Sequence, residues 1–199
     1  MDNRISSNRY NQIPHIDDQG IPAHSYLVGV GEIITRHNLQ SQFGVHLLHR
    51  HFNVSPDTVI FQSVDGGKEI SRMTDLKDLD ATRISPQCFL FDGEAGFISY
   101  EYAYDDSTPS LIPEPLASEL ATHFAQNEHL SQLLAIEKIN GNTEAVYREH
   151  PYGEFATYRV EVHDEDRTPD VATDTAWCFR KLENGAVSVQ RTCQWRAYC

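Results

Sequence analysis

Three histidines stand within six residues, in His46-Leu47-Leu48-His49-Arg50-His51. Six of the ten histidines fall between His15 and His51, so imidazole is concentrated in the first quarter of the chain. In an extended strand His49 and His51 share a face, roughly 7 Å apart along the backbone, and His46 faces the other way. Two rings at that spacing can chelate one ion. In a helix His46 and His49 share a face and His51 does not, so convergence of all three requires a bend. Imidazole nitrogens suit zinc, copper or iron, and His46, His49 and His51 are the candidate metal ligands. The competing reading is a solvated strand face carrying polar side chains.

Other residues could carry chemistry. In Phe97-Ile-Ser-Tyr-Glu-Tyr-Ala-Tyr104 the alternation of a strand puts Ile98, Tyr100, Tyr102 and Tyr104 on one face and Glu101 on the other. The hydroxyls could line a pocket, and Glu101 at its rim is the candidate acid–base catalyst. Ordinary cross-strand packing explains the tyrosines equally well. Glu119 and His123 lie four apart on an expected helix, as an acid–base pair or a surface contact. Around Asn184-Gly185 a two-residue turn would set Cys178 opposite Arg191 and Cys193 diagonally across, roughly 7–8 Å away. These thiols, with Cys199, could be soft ligands, a redox pair or buried small residues. No Cys-x-x-Cys occurs.

Hydrophobic periodicity and turn residues outline the scaffold around these groups. Residues 1–22, polar with Pro14 and Pro22, read as an extended arm before one domain over 23–199. Ser25–Val30 reads as a strand and Gly31–Leu39 as a short helix. Residues 43–52 and 58–63 flank a turn-rich Asn53–Asp57 and read as a hairpin. Residues 87–92 and 96–104 form a second hairpin. Glu114–Gln126 reads as a helix, with Pro115 in its first turn and Leu116, Leu120 and Phe124 on one stripe. Asn140-Gly141 and Asn184-Gly185 mark two further hairpins, 133–139 with 143–149 and 176–181 with 188–193. The expected fold is therefore α+β: an antiparallel β-sheet built from hairpins with one or two helices packed on it.

The chain has 199 residues and a formal net charge of −13, with 29 acids against 16 bases. Residues 101–150 alone carry nine acids and two bases. Nucleic acid and anionic membrane surfaces need basic patches, so both are excluded as expected partners. No apolar run is long enough for a transmembrane helix, and the first twenty residues lack a secretory signal, which predicts a cytoplasmic location. Phosphate-loop, dinucleotide-fold and nucleophile-elbow motifs are absent. The cupin pattern is not met: His49-Arg50-His51 is followed by Asp57 rather than by a Glu at the required offset.

The segment Gly44–Phe52, the stretch Leu133–Glu149, and Trp177 followed by C-terminal cysteines resemble a group of fungal hypothetical proteins. The resemblance implies a fungal, cytosolic origin and transfers no residue role. Three functions follow as expectations. The first is a small metal-dependent enzyme acting on a small-molecule substrate. The second is a cofactor-free isomerase or cyclase using Glu101. The third is a non-catalytic module that self-associates or binds a partner.

Overall fold

In the computed structural model, residues 5–104, 111–139, 145–162 and 172–195 are described. Ten strands carry the architecture: β1 (Phe43–Leu47), β2 (Thr58–Asp65), β3 (Lys68–Asp75), β4 (Ile84–Asp92), β5 (Gly96–Tyr104), β6 (Leu134–Lys138), β7 (Tyr147–Pro151), β8 (Ala156–Glu161), β9 (Thr173–Lys181) and β10 (Val187–Trp195). They close into a barrel in the order β1-β6-β4-β5-β2-β3-β8-β7-β10-β9, with β9 returning to β1 through Val45↔Trp177 and His46↔Ala176. Two pairings are parallel, β2 with β5 and β7 with β10.

Alternation along these strands separates two environments. Phe43, Val45 and Leu47 of β1, Phe89 and Phe91 of β4, Leu134 and Ile136 of β6, and Trp177 and Phe179 of β9 point outward. They are covered by helices α2 (His24–Arg36), α3 (Glu114–Gln126) and α4 (Glu128–Leu133), which follow a short first helix, α1 (Ser7–Tyr10), and supply Val30, Ile34, Leu116, Leu120, Phe124 and Leu130. Each such aliphatic or aromatic side chain contributes about 1.5–3 kcal/mol of burial. The intervening positions, among them His46, Glu101, Glu137 and Ala176, line the interior.

Two glycines permit close approaches. A Cβ at Gly31 would meet the Phe179 ring at 2.4 Å, so α2 lies hard against β9. A Cβ at Gly44 would meet the carbonyl oxygen of Trp177 at 2.5 Å, on the seam that closes the barrel.

The N-terminal segment seals one end. Ile5, Tyr10 and Ile13 pack with Leu48, Val54, Ile60, Leu90 and Ile98. Backbone bonds from Ile5 N–H to Ser99 O (3.0 Å), Arg50 N–H to Pro14 O (3.0 Å) and Ile16 N–H to Arg50 O (3.0 Å) tie it down. The Asn11 side chain bonds both backbone groups of Val54.

The α+β sheet expected from hairpins is corrected to a closed, mixed barrel. The 84–104 and 173–195 hairpins form. The other two do not: β1 pairs with β6 and β9, and β6 with β1 and β4. Asn140-Gly141 lies outside the described residues. Ser25–Val30 belongs to α2, because Leu27, Val30 and Ile34 follow a helical period that continues to Arg36. Closure depends on contacts between residues more than a hundred positions apart, which leave no local signal.

Replacing Gly44 with alanine should destabilise the fold by about 1–3 kcal/mol, since the obstructing atom is backbone and cannot rotate away. Chemical denaturation of the variant reads this directly, and an unchanged midpoint would contradict the seam geometry.

Candidate metal centre

His46 enters the barrel from β1 because its neighbours Val45 and Leu47 point out to the helices. Its position is set from both sides. Arg159 Nη2 donates to His46 Nε2 (3.2 Å), and a guanidinium has no acceptor, so His46 carries its proton on Nδ1. That Nδ1 faces the Tyr100 hydroxyl at 3.1 Å.

After Leu47 the chain leaves the ladder, and the bend brings the other two rings to the first. The ring centres of His46 and His49 are 4.9 Å apart, and those of His49 and His51 are 4.6 Å apart. His49 Nδ1 donates to the Leu47 carbonyl (2.7 Å), fixing the tautomer and leaving Nε2 as a bare acceptor. A metal-ligating histidine is commonly held by a partner of this kind. His49 Nε2 lies 2.9 Å from His51 Nε2. His51 also stacks on Trp195 at 4.3 Å.

Glu149, from β7, completes the cluster. His51 Nε2 is 3.2 Å from Glu149 Oε1, and His49 Nε2 is 4.0 Å from Oε2. Thr157 Oγ1 donates to Oε1 (2.9 Å), while the buried Oε2 has no hydrogen-bond partner. Ligand atoms of His46, His49 and Glu149 all lie within 4.8 Å of one another, and all three residues are buried. This group could hold a metal ion. A tetrahedral site with bonds of about 2.0–2.2 Å puts neighbouring ligand atoms roughly 3.3 Å apart, which one ion could impose on these donors. The orphaned Oε2 is the atom that such an ion would satisfy, and the unprotonated His49 Nε2, now in contact with His51 Nε2, is the nitrogen that could bind beside it.

The space among them is small. Tyr10, His46, His49, His51, Glu101 and Glu149 are among the residues enclosing a cavity of about 10 Å³, room for one ion or one water and no organic substrate. A second cavity of about 70 Å³ opens at the end of the barrel away from the N-terminal segment, lined by Gln62, Glu69, Glu137, Lys138, Tyr147, Arg159, Thr192 and Cys193 among others.

Electrostatics divide the interior. Burial drives His46 well below the usual imidazole range, helped by neighbouring His49 and Arg159. Burial and then His51 push His49 down to about 3, so both rings are neutral donors at pH 7. Burial alone would raise Glu149, but His51 and Arg159 outweigh it and hold the carboxyl well below its ordinary value. Glu101 behaves oppositely. Burial, with the repulsion of Glu149 and Glu137, lifts it to about 7 against the pull of Arg159. Its Oε2 accepts from Gln62 Nε2 (2.8 Å) and sits 3.7 Å from the Cys88 thiol.

Glu101 is placed by a bulge. Cys88 is opposite Glu101 and Phe89 opposite Ser99, so Tyr100 is the extra residue, and Tyr100 and Glu101 both reach the interior. The expected tyrosine face is thereby broken. Tyr100 packs with the barrel-end cluster, Tyr102 with Val59, Phe61 and Ile84 in a separate one, and Tyr104 is 40% exposed.

The remaining expectations resolve separately. Cys178 sits opposite Gln190 and Cys193 opposite Ala176, a different register from that of a two-residue turn. Cys178 and Cys193 are buried thiols not joined in a disulfide, and Cys199 lies outside the described residues. Glu119 pairs with Arg36 and with His37 (2.8 Å), away from the barrel interior. Glu149, Arg159 and Thr157 were not singled out by sequence. They stand on β7 and β8, about a hundred residues beyond the histidines, and charged residues inside strands were the one available hint.

Compared with the known protein families, with curated proteins and with solved structures, the chain matches none. No described helix is long and apolar enough to cross a membrane.

The raised Glu101 binds its proton more tightly folded than unfolded. Between the ordinary carboxyl value of 4.5 and about 7 the folded state therefore holds the extra proton, and stability falls as pH rises through that window. Glu101→Gln should flatten this fall and exceed the parent in stability at pH 8 by up to about 3 kcal/mol in chelator-treated protein. Urea unfolding at pH 4.5 and pH 8 measures it, and parallel pH profiles for the two proteins would refute it.

Proposed function

We propose that this protein is a small metal-dependent enzyme that acts on a small molecule, with its ion held at the His/Glu centre inside the barrel. His49 and Glu149 are the central ligands, with His46 and His51 on either side of them supplying the rest. The observation that carries the reading is the placing of His49: with Nδ1–H fixed on Leu47 O, its unprotonated Nε2 lies between His51 Nε2 (2.9 Å) and the Glu149 Oε2 that has no hydrogen-bond partner (4.0 Å). Two or three imidazoles with one carboxylate suit zinc, copper or iron(II). When bound, such an ion supplies Lewis-acid polarisation of a coordinated oxygen or activates water at neutral pH. Neutral His46 and His49 and ionised Glu149 are the protonation states that ligation requires. Glu101, on the wall of the same cavity and poised near neutrality, is suited to hold or release a proton beside the ion.

Glu101 also motivates a second reading, a cofactor-free isomerase or cyclase. That reading needs room for an organic substrate against the carboxyl, and the cavity there is about 10 Å³. The size favours an ion.

Protein purified without chelator, or reconstituted and desalted, should carry close to one equivalent of zinc, copper or iron by elemental analysis. His49→Ala and Glu149→Ala should each weaken metal binding by about a hundredfold or more, the expected result of losing a direct ligand. Substoichiometric metal after reconstitution with all three ions, or retention in both variants, would remove the basis for this function.

A further inference from the structure

On its histidine side the inner cavity is closed by residues 5–13, which put Tyr10 on its wall. This segment is held unlike the barrel strands, which are bonded to their neighbours along their length. Its backbone meets the barrel at Ile5 N–H to Ser99 O (3.0 Å), and just beyond it lies one isolated bridge, His15↔Arg50. Side chains clasp the rest. Asn11 bonds both backbone groups of Val54 (3.0 and 2.8 Å), Arg50 Nε donates to Ile13 O (2.7 Å), and Arg9 pairs with Asp92. Segments with few backbone bonds open at lower free energy than laddered strands. We propose that residues 5–13 are a strap that lifts from the barrel end to admit substrate to the metal centre, and that the substrate is a ring-sized, largely apolar molecule that takes the place of Tyr10. This deepens the metal reading and rests on it.

The closed centre needs such an opening. With the strap down, about 10 Å³ takes the ion alone. Towards the opposite cavity the way is barred by Arg159, tied to Glu137 (2.8 Å) and to His46 (3.2 Å). Lifting the strap empties a cup lined by Leu48, Ile60, Leu90, Ile98 and Tyr100, which pack with Tyr10 in one apolar cluster. What fills that cup now describes what fits it. It is a phenol ring, 6.4 Å from the ring of Tyr100, on the wall shared with His46, His49 and Glu101. An apolar lining with a few polar groups at one end is the usual make-up of a small-molecule pocket. The ligands need not follow the strap. His46 and Glu149 stand on β1 and β7, and His49 is fixed on Leu47 O.

The test uses the full chain loaded with cobalt(II) and p-cresol, the side chain of tyrosine as a free molecule. Cobalt should broaden the p-cresol ring protons saturably in NMR spectra. Glucose, ring-sized but hydroxylated throughout, should show no broadening. Asn11→Ala removes a clasp and leaves Tyr10 in the cup. It should tighten p-cresol binding and speed the capture of cobalt by excess EDTA, each by about tenfold, the expected effect of two lost hydrogen bonds. Tyr10→Ala, which empties the cup outright, should exceed it in both. Gly31→Ala disturbs the packing of α2 on Phe179 instead and should leave both readings at parent values. Cobalt-loaded parent and Asn11→Ala proteins that leave p-cresol sharp, or EDTA capture as fast in Gly31→Ala as in Asn11→Ala, would overturn this inference while leaving the metal site standing. Failure to bind cobalt, zinc, copper or iron at all would overturn the metal reading and this inference with it.

Discussion

A carboxylate taken out of water must find positive charge or take up a proton, and this barrel does both within a few ångströms. Glu149 stays ionised because His51 and Arg159 surround it, and Glu101, whose side-chain bond comes from a neutral amide, is lifted towards neutrality. Arg159 is the common element. It answers Glu137 and Glu69 with one nitrogen and His46 with another, so the tautomer of His46 and the charge of Glu149 depend on the same guanidinium. With His46 and His49 neutral, Arg159 and His51 are the partners that Glu149, Glu137 and Glu69 share among the described residues. A divalent cation among the ligands would bring the interior closer to balance.

The fold makes such an interior tenable. The apolar side chains of β1, β4, β6 and β9 are spent on the helices outside, where α2 and α3 cover them. The inward positions are therefore free to be polar, and Ala135 and Ala176, paired with His46 on the neighbouring strands, leave room for its ring. Hydrophobic material returns at one end, where Tyr10, Ile13 and Leu48 keep water from the histidine side. The barrel is consequently polar in the middle, sealed at one end and open at the other.

What could be read from the sequence was local. The 114–126 helix was legible because its stripe and its proline agree, and the 84–104 and 173–195 hairpins because each turn sits between neighbouring strands. The cluster of histidines was visible as a cluster, and the need for a bend followed from their spacing. The bend itself, the Tyr100 bulge and the barrel closure were not legible, since each answers to a strand far away in the chain. Glu149 and Arg159 were hidden for the same reason. Their neighbours in sequence say nothing of His49, and only the order of strands around the barrel brings β7 and β8 to the histidine side.

The bulge shows how little separates this site from a plain barrel. With regular alternation, Tyr100 and Glu101 would face opposite sides of β5, and one would leave the interior. One extra residue sends both inward, so the phenol reaches His46 Nδ1 while the carboxyl reaches Gln62 and the small cavity. Tyr100 holds the imidazole proton from one side and Arg159 holds the bare nitrogen from the other, which leaves His46 no rotational freedom. Such a ring could join a metal shell only if one of its two partners moved. His49 would keep its Nδ1 bond to Leu47 and exchange only the Nε2 contact with His51, itself a proposed ligand, for the ion. The difference between these two histidines, one saturated and one poised, makes His49 the anchor of the centre and His46 its conditional member.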